Sequence, residues 1–391
     1  MREPDYVDEC YADKDLSLLK KLTLVIPTYN RNYYLSRCLW YHAHFPFGEI
    51  IVADSSPEEK KVVNRETVAK VREMFGANVR YLEYEPETEK YGGDIYKKWR
   101  GALLLVKTQY SLFCTDREFE MPVTLCKYIQ YMDKDDDIGA CAARIGHINL
   151  RKNGTCNYDQ LFNSDIITSD NIYERVHTIL YDIRQIVGIT ASIYRTDVLK
   201  YIYNTYDIKD LRFGEVVIGL SASILSRTCY FTQDIITCRD WSRYRINNVP
   251  SKSESSTIRY PPLELYLKNG LWEKYYPEFK QYIMSILTSK NVVIDETELD
   301  LAIIGYLKRS YYLPSGIWDL EAKYNYLLQV TNNFPDRIWH KLPVKVRDAI
   351  CIIFKISRRY PKSCEITADI AIIITIIDSK ISNHNNDLPI I

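Results

Sequence analysis

The sequence predicts an α/β protein, a Rossmann-type and mostly parallel sheet flanked by helices, followed by an α-helical C-terminal region. Three observations carry this. Short apolar runs of the kind buried on both faces of a parallel sheet alternate with amphipathic helical segments. Polar and charged residues cluster directly after those runs, and from about Pro261 onward the spacing is helical throughout. Strands that alternate with helices join through right-handed crossovers, which makes the sheet parallel.

Composition bounds the function classes. At 391 residues the chain is long for one core, so two domains are expected. With 46% hydrophobic and 26% charged residues it has ample core material. Lys plus Arg equals Asp plus Glu at 51 each, so no basic field points to nucleic acid. Met1 to Glu9 is acidic without an apolar core and does not read as a signal peptide. The 10 cysteines include no CxxC pair, which suits reduced thiols in the cytoplasm rather than a disulfide framework or a zinc site.

In chain order, Leu22–Ile26 reads as a buried strand closed by the turn Pro27-Thr-Tyr-Asn-Arg31, and a helix follows to about His44. Glu49–Asp54 is a second strand ending in an acid. Ser56-Pro57-Glu58-Glu59 reads as an N-cap, a first-turn proline and a capping-box glutamate, and Gly76 stops that helix. Val79–Tyr84 is a third strand, and Gly92-Gly93-Asp94 opens a helix running through Trp99 and Leu104. Tyr110–Cys114 is a fourth strand, Pro122 to about Met132 a helix, and Ile138–Ala143 a fifth strand.

The fourth strand delivers two carboxylates one residue apart, Asp116 and Glu118, in Cys114-Thr-Asp-Arg-Glu118. At the carboxyl end of a strand in an open α/β sheet, such oxygens can hold Mg²⁺ or Mn²⁺ against a diphosphate. The plainer reading is a solvated strand-to-helix turn. Thr28, Tyr29, Arg31 and Asp54 end neighbouring strands, and their convergence on one sheet edge favours a site. Lys134-Asp-Asp-Asp137 falls at the opposite edge and reads as a solvated turn.

Leu22-Thr-Leu-Val-Ile-Pro-Thr-Tyr-Asn-Arg31, Ile50-Ile-Val-Ala-Asp-Ser-Ser56 and Tyr110–Glu118 together resemble the nucleotide-sugar half of family 2 glycosyltransferases with the GT-A fold. The resemblance covers roughly residues 20 to 240. It implies a nucleotide pocket lined by Pro27, Thr28, Tyr29 and Arg31, with Asp54 accepting from the base and Lys98 near the diphosphate. Asp116 and Glu118 take the places of the family's Asp-x-Asp pair, with Asp116 at the donor and both acids at a divalent metal. The departure is Asp116-Arg117-Glu118, a longer acid behind an arginine. The family keeps its catalytic base where Glu215 stands, with Asp210 as the alternative. By itself Glu215 also reads as a helix-dipole glutamate.

The resemblance further implies an inverting glycosyltransferase, UDP-sugar dependent, acting on a glycan or lipid-linked glycan acceptor in bacterial surface polysaccharide synthesis. The alternatives are a degenerate glycan-binding or scaffold protein and a nucleotidyltransferase of related fold. The latter wants a Gly- and basic-rich loop where Pro27-Thr-Tyr-Asn stands. The expected layout is a leader (1–20), a GT-A-like domain (21–250) with nucleotide-binding (21–118) and acceptor (119–250) halves, a linker (251–260) and a helical domain (261–391). Arg239, Arg243 and Arg245 read equally as a diphosphate clamp or as surface charge. The runs Ala349–Phe354 and Ile370–Ile377 are too short to span a bilayer. They suit a helix-bundle core, or a surface helix resting on the inner membrane with Lys355, Arg358 and Arg359 near headgroups. The location expected is the cytoplasm or the cytoplasmic membrane face.

Overall fold

The computed structural model describes Val7 and residues 11–86, 93–148, 156–158, 166–182, 192–240 and 270–311. β1 (Leu22–Thr28) is buried along its whole length, and after the Asn30 turn α1 (Asn32–Ala43) packs against it. β2 (Glu49–Asp54) is equally buried and leads into α2 (Glu58–Phe75), which ends on Gly76 in the left-handed conformation expected of a C-cap glycine. Its N-terminus departs from the sequence reading. Pro57 is the cap residue and no side chain caps the helix, because the Ser56 hydroxyl accepts the Asn30 N–H at 2.8 Å instead.

β3 (Val79–Glu83), α3 (Gly93–Leu104), β4 (Tyr110–Phe113), a short β5 (Glu118–Glu120) and α4 (Pro122–Asp133) follow. Next come β6 (Ile138–Ile148), β7 (Cys156–Tyr158), β8 (Ile166–Ile167) and α5 (Ile172–His177). β9 (Ser192–Arg195), α6 (Thr196–Thr205), α7 (Leu211–Leu225) and β10 (Arg227–Asp240) complete the sheet region, and α8 (Leu271–Ser289) and α9 (Glu296–Tyr311) close the described chain.

The sheet runs β3-β2-β1-β4-β9-β6-β10-β5, with β7 on β6 and β8 on β10. The first four strands are parallel, as expected. Beyond β4 the sheet is mixed. β9 lies antiparallel between β4 and β6, and β5 lies antiparallel on β10. β10 follows β6 with register shifts after Phe231 and after Ile235, a bulge whose backbone carbonyls at Gln233 and Asp234 accept from Arg144 at 2.7 and 3.3 Å.

Alternation along the strands feeds two apolar clusters, one on each face. Val25 and Phe113 join α3, α6, α7, α8 and α9, while Leu24, Ile26 and Leu112 join α1, α2 and α4. The runs Glu278–Ser289 and Glu296–Tyr312 read as helices, as α8 and α9 bear out; the later helices, the linker and Trp241–Arg245 lie outside the described residues. Among the described residues no helix is long and apolar enough to cross a membrane. At the far edge, the 134–137 turn is tied down by Asp135 to Arg227 and by Asp136 to Arg195, although Asp136 stays largely in solvent.

Candidate active site

The carboxyl ends of β1, β2 and β4 meet. Thr28, the last residue of β1, donates its hydroxyl to Asp116 Oδ2 at 2.9 Å, and Arg31 reaches Asp116 Oδ1 at 3.3 Å. Burial pushes the Asp116 carboxyl up, while the Arg31 charge and the Thr28 hydroxyl pull it back. Lys98 projects from α3 between the strand ends and donates to the Thr28 carbonyl at 3.1 Å and the Ser55 hydroxyl at 2.7 Å. Asn30 holds a left-handed φ of 55°, a conformation Asn tolerates, which turns the chain from β1 back over Ser56. Pro27 stays within the strand ladder opposite Ala53, and Tyr29 is half-buried on the turn.

Asp54 is fully buried, and its carboxylate is already engaged. It accepts the Ser56 N–H at 2.7 Å, the Asn64 amide at 2.6 Å and the Tyr81 hydroxyl at 2.5 Å. In this arrangement it fixes the Ser55–Ser56 turn, and contact with a nucleotide base would require one of these donors to yield.

Glu118 is turned inward. Its Oε1 accepts Arg239 Nε at 2.8 Å and also Arg239 Nη2, and its Oε2 accepts the Thr115 N–H at 2.6 Å. The Asp116-Arg-Glu118 turn is fastened to β10 a second time, where the Asp240 N–H donates to the Arg117 carbonyl at 2.9 Å. Asp240 in turn pairs with Arg37 of α1 at 2.8 Å, both buried.

The acids expected at a divalent cation are each paired with a guanidinium, Asp116 with Arg31 and Glu118 with Arg239, so a cation there would share its ligands with two positive charges. Two groups of metal-ligating side chains do occur among the described residues, Cys38–His42–Cys114 and Cys114–Glu118–Glu120. Both are fully buried and engaged within the fold. His42 uses both ring nitrogens on backbone, Nδ1 with the Cys38 carbonyl at 2.8 Å and Nε2 with the Glu120 N–H at 3.1 Å. Burial raises the Cys38 and Cys114 thiols, and burial with the neighbouring Glu118 raises Glu120, which opposes the deprotonated forms that a metal would need.

Glu215 lies in the first turns of α7 and acts electrostatically on Arg239, whose charge is opposed by burial but upheld by Glu118, Glu215 and Glu120. Asp210, the alternative base, is the N-cap of α7 and accepts the Phe213 N–H at 2.7 Å. The structure thus gathers Thr28, Arg31, Lys98 and Asp116 directly and sets Glu118 beside them. Arg239, which the sequence left undecided between clamp and surface, is bonded to Glu118 and lies within electrostatic reach of Glu215. Its signal was its place among arginines at a strand end.

No protein-family model matches this sequence, and neither does a curated protein. Solved structures do. The crystal structure of S. aureus TarS 1-349 in complex with UDP-GlcNAc matches with a TM-score of 0.50 at 16% identity, covering 92% of this chain and 91% of that one. The same piece in complex with UDP gives 0.46 at 16% identity over 92% and 90%. S. aureus TarS gives 0.47 at 18% identity over 92% of this chain and 55% of that one. At such identity the likeness is one of fold, and the fold is the GT-A-like one that the sequence predicts.

Proposed function

We propose that the chain is an inverting glycosyltransferase that moves a sugar from a nucleoside-diphosphate sugar, UDP-linked, to a hydroxyl of a glycan acceptor. The observation that carries this reading is the cluster at the carboxyl ends of β1 and β4, where Thr28 and Arg31 bond Asp116 and Lys98 bonds the Thr28 carbonyl. The GT-A-like fold, shared with a protein crystallised with UDP-GlcNAc, supports it. Arg31 offers its guanidinium to the donor's diphosphate. Asp54, with Lys98 behind it, holds Ser55–Ser56 as the floor of the base subsite, and Pro27 and Tyr29 shape its wall.

Glu215 is the base. An acceptor hydroxyl attacks the anomeric carbon in line while the carbon–oxygen bond to the diphosphate breaks. The hydroxyl proton passes to the Glu215 carboxylate, the nucleoside diphosphate leaves with the bonding pair, and one displacement inverts the centre. The acceptor we propose is a growing surface or secreted glycan, free or lipid-linked, reached from the cytoplasmic face.

Binding of UDP and UDP-GlcNAc, followed by melting temperature and then by calorimetry, tests the donor half. Glu215→Gln tests the base: turnover is expected to fall by about 10²- to 10⁴-fold with UDP affinity unchanged. Transfer that survives this substitution would assign the base to another residue.

A further inference from the structure

Resting on that reading, we infer that Arg239, rather than a divalent cation, supplies the positive charge that meets the donor's diphosphate. A divalent metal at this turn would draw its protein oxygens from Asp116 or Glu118. Asp116 gives its two to Thr28 and Arg31, and Glu118 gives its two to Arg239 and the Thr115 N–H. A dication entering there would share each acid with a guanidinium and stand close to both positive charges. Arg239 sits at a buried acid but is not sealed in. Its side chain keeps 27% exposure, as does that of Arg31, whereas Glu118 keeps none.

Arg31 and Arg239 therefore bracket the acid turn from the two strand ends, each anchored on an acid and each keeping an exposed portion. Planar guanidiniums bind diphosphate oxygens with a fixed fork, and they cost no metal recruitment. Glu118 is then a positioning residue. It holds the Arg239 plane through two N–H bonds on one oxygen, and its negative charge keeps that guanidinium in place before the donor arrives. As the bond to the sugar breaks, the charge that develops on the leaving diphosphate meets Arg239 and Arg31.

The test uses the full chain, stripped with EDTA and titrated calorimetrically with UDP, then titrated again in excess Mn²⁺ while the electron paramagnetic resonance of free Mn²⁺ is followed. The expected result is one UDP affinity in both conditions, within about threefold, and no Mn²⁺ taken up with the nucleotide. Arg239→Ala is expected to weaken UDP by about 10- to 100-fold in both, the worth of a lost charge-assisted bond. Because that change strips Glu118 of its partner, the double change Glu118→Gln with Arg239→Gln keeps a neutral pair and must show the same loss. Glu118→Gln alone loosens Arg239 without removing it, so its loss of UDP affinity is expected to be smaller than that of Arg239→Ala and the same with and without Mn²⁺.

UDP binding that appears only with Mn²⁺, or a bound Mn²⁺ signal that Glu118→Gln abolishes, overturns the inference and leaves the glycosyltransferase reading standing. A folded chain that binds no UDP under either condition overturns both.

Discussion

Glu120 and His42 sit in contact across β5 and α1, and they push stability in opposite directions with pH. Glu120 is buried beside Glu118, and burial and that neighbouring acid raise its folded pKa well above 4.5. The folded chain thus keeps a proton that the unfolded chain has shed. The stability this confers is complete below about pH 4.5 and is lost as pH rises. Burial lowers His42 from 6.5 to about 3, so its contribution is present above pH 6.5 and is lost as pH falls toward 3. Between 3 and 6.5 that loss runs at about 1.4 kcal/mol per pH unit. Glu120→Gln removes only the first effect. Its melting temperature should exceed that of the parent by a margin that opens above pH 4.5 and widens as pH rises, as thermal melts from about pH 4 upward would check. A constant margin would mean that Glu120 is ionised in the fold.

Among the elements, α7 carries the tightest constraint on the site. A Cβ added at Gly214 would lie 2.4 Å from the Tyr96 ring of α3 and 2.6 Å from Ile208, and Tyr96 is buried with no room to retreat. Gly→Ala in an open helix gains up to about 1 kcal/mol. Here Gly214→Ala is expected to cost about 1–3 kcal/mol through overpacking, read as a lower denaturant midpoint. Because Glu215 is the next residue, turnover should fall while UDP affinity holds. The strand-and-helix alternation up to β4 was legible because each element carries its own period and stop signal, as Gly76 does for α2. The Ser56 cap misled for a physical reason. Its hydroxyl serves the Asn30 N–H, a partner 26 residues away that no local pattern reveals.

For the molecule as a whole, α8 and α9 are part of the sheet's own core. Phe279 is fully buried and stacks on Phe213 of α7 at 5.0 Å, in the cluster that also holds Val25 and Phe113. Phe279→Ala should cost about 3–5 kcal/mol, and a chain ending at residue 269 should be recovered in aggregates rather than as a soluble monomer on size exclusion. This shared core, and the mixed half of the sheet, were the least legible features. Both depend on pairings far apart in sequence, such as Glu118 with Arg239. The candidate acids themselves showed plainly at their strand end; what they were bonded to did not. The bulge in β10 adds a last consequence, concerning phase. Residues 232–234 are slack between two independently registered halves, since Phe231 aligns with Ala143 and Ile235 with Arg144. A deletion at exposed Gln233 is absorbed there, leaving the downstream ladder untouched. The second shift makes Ile236 an extra residue as well, so a deletion there is also taken up before Thr237. Either way Arg239 stays in step with Glu118, so the ion pair at the site is insulated from changes of length upstream.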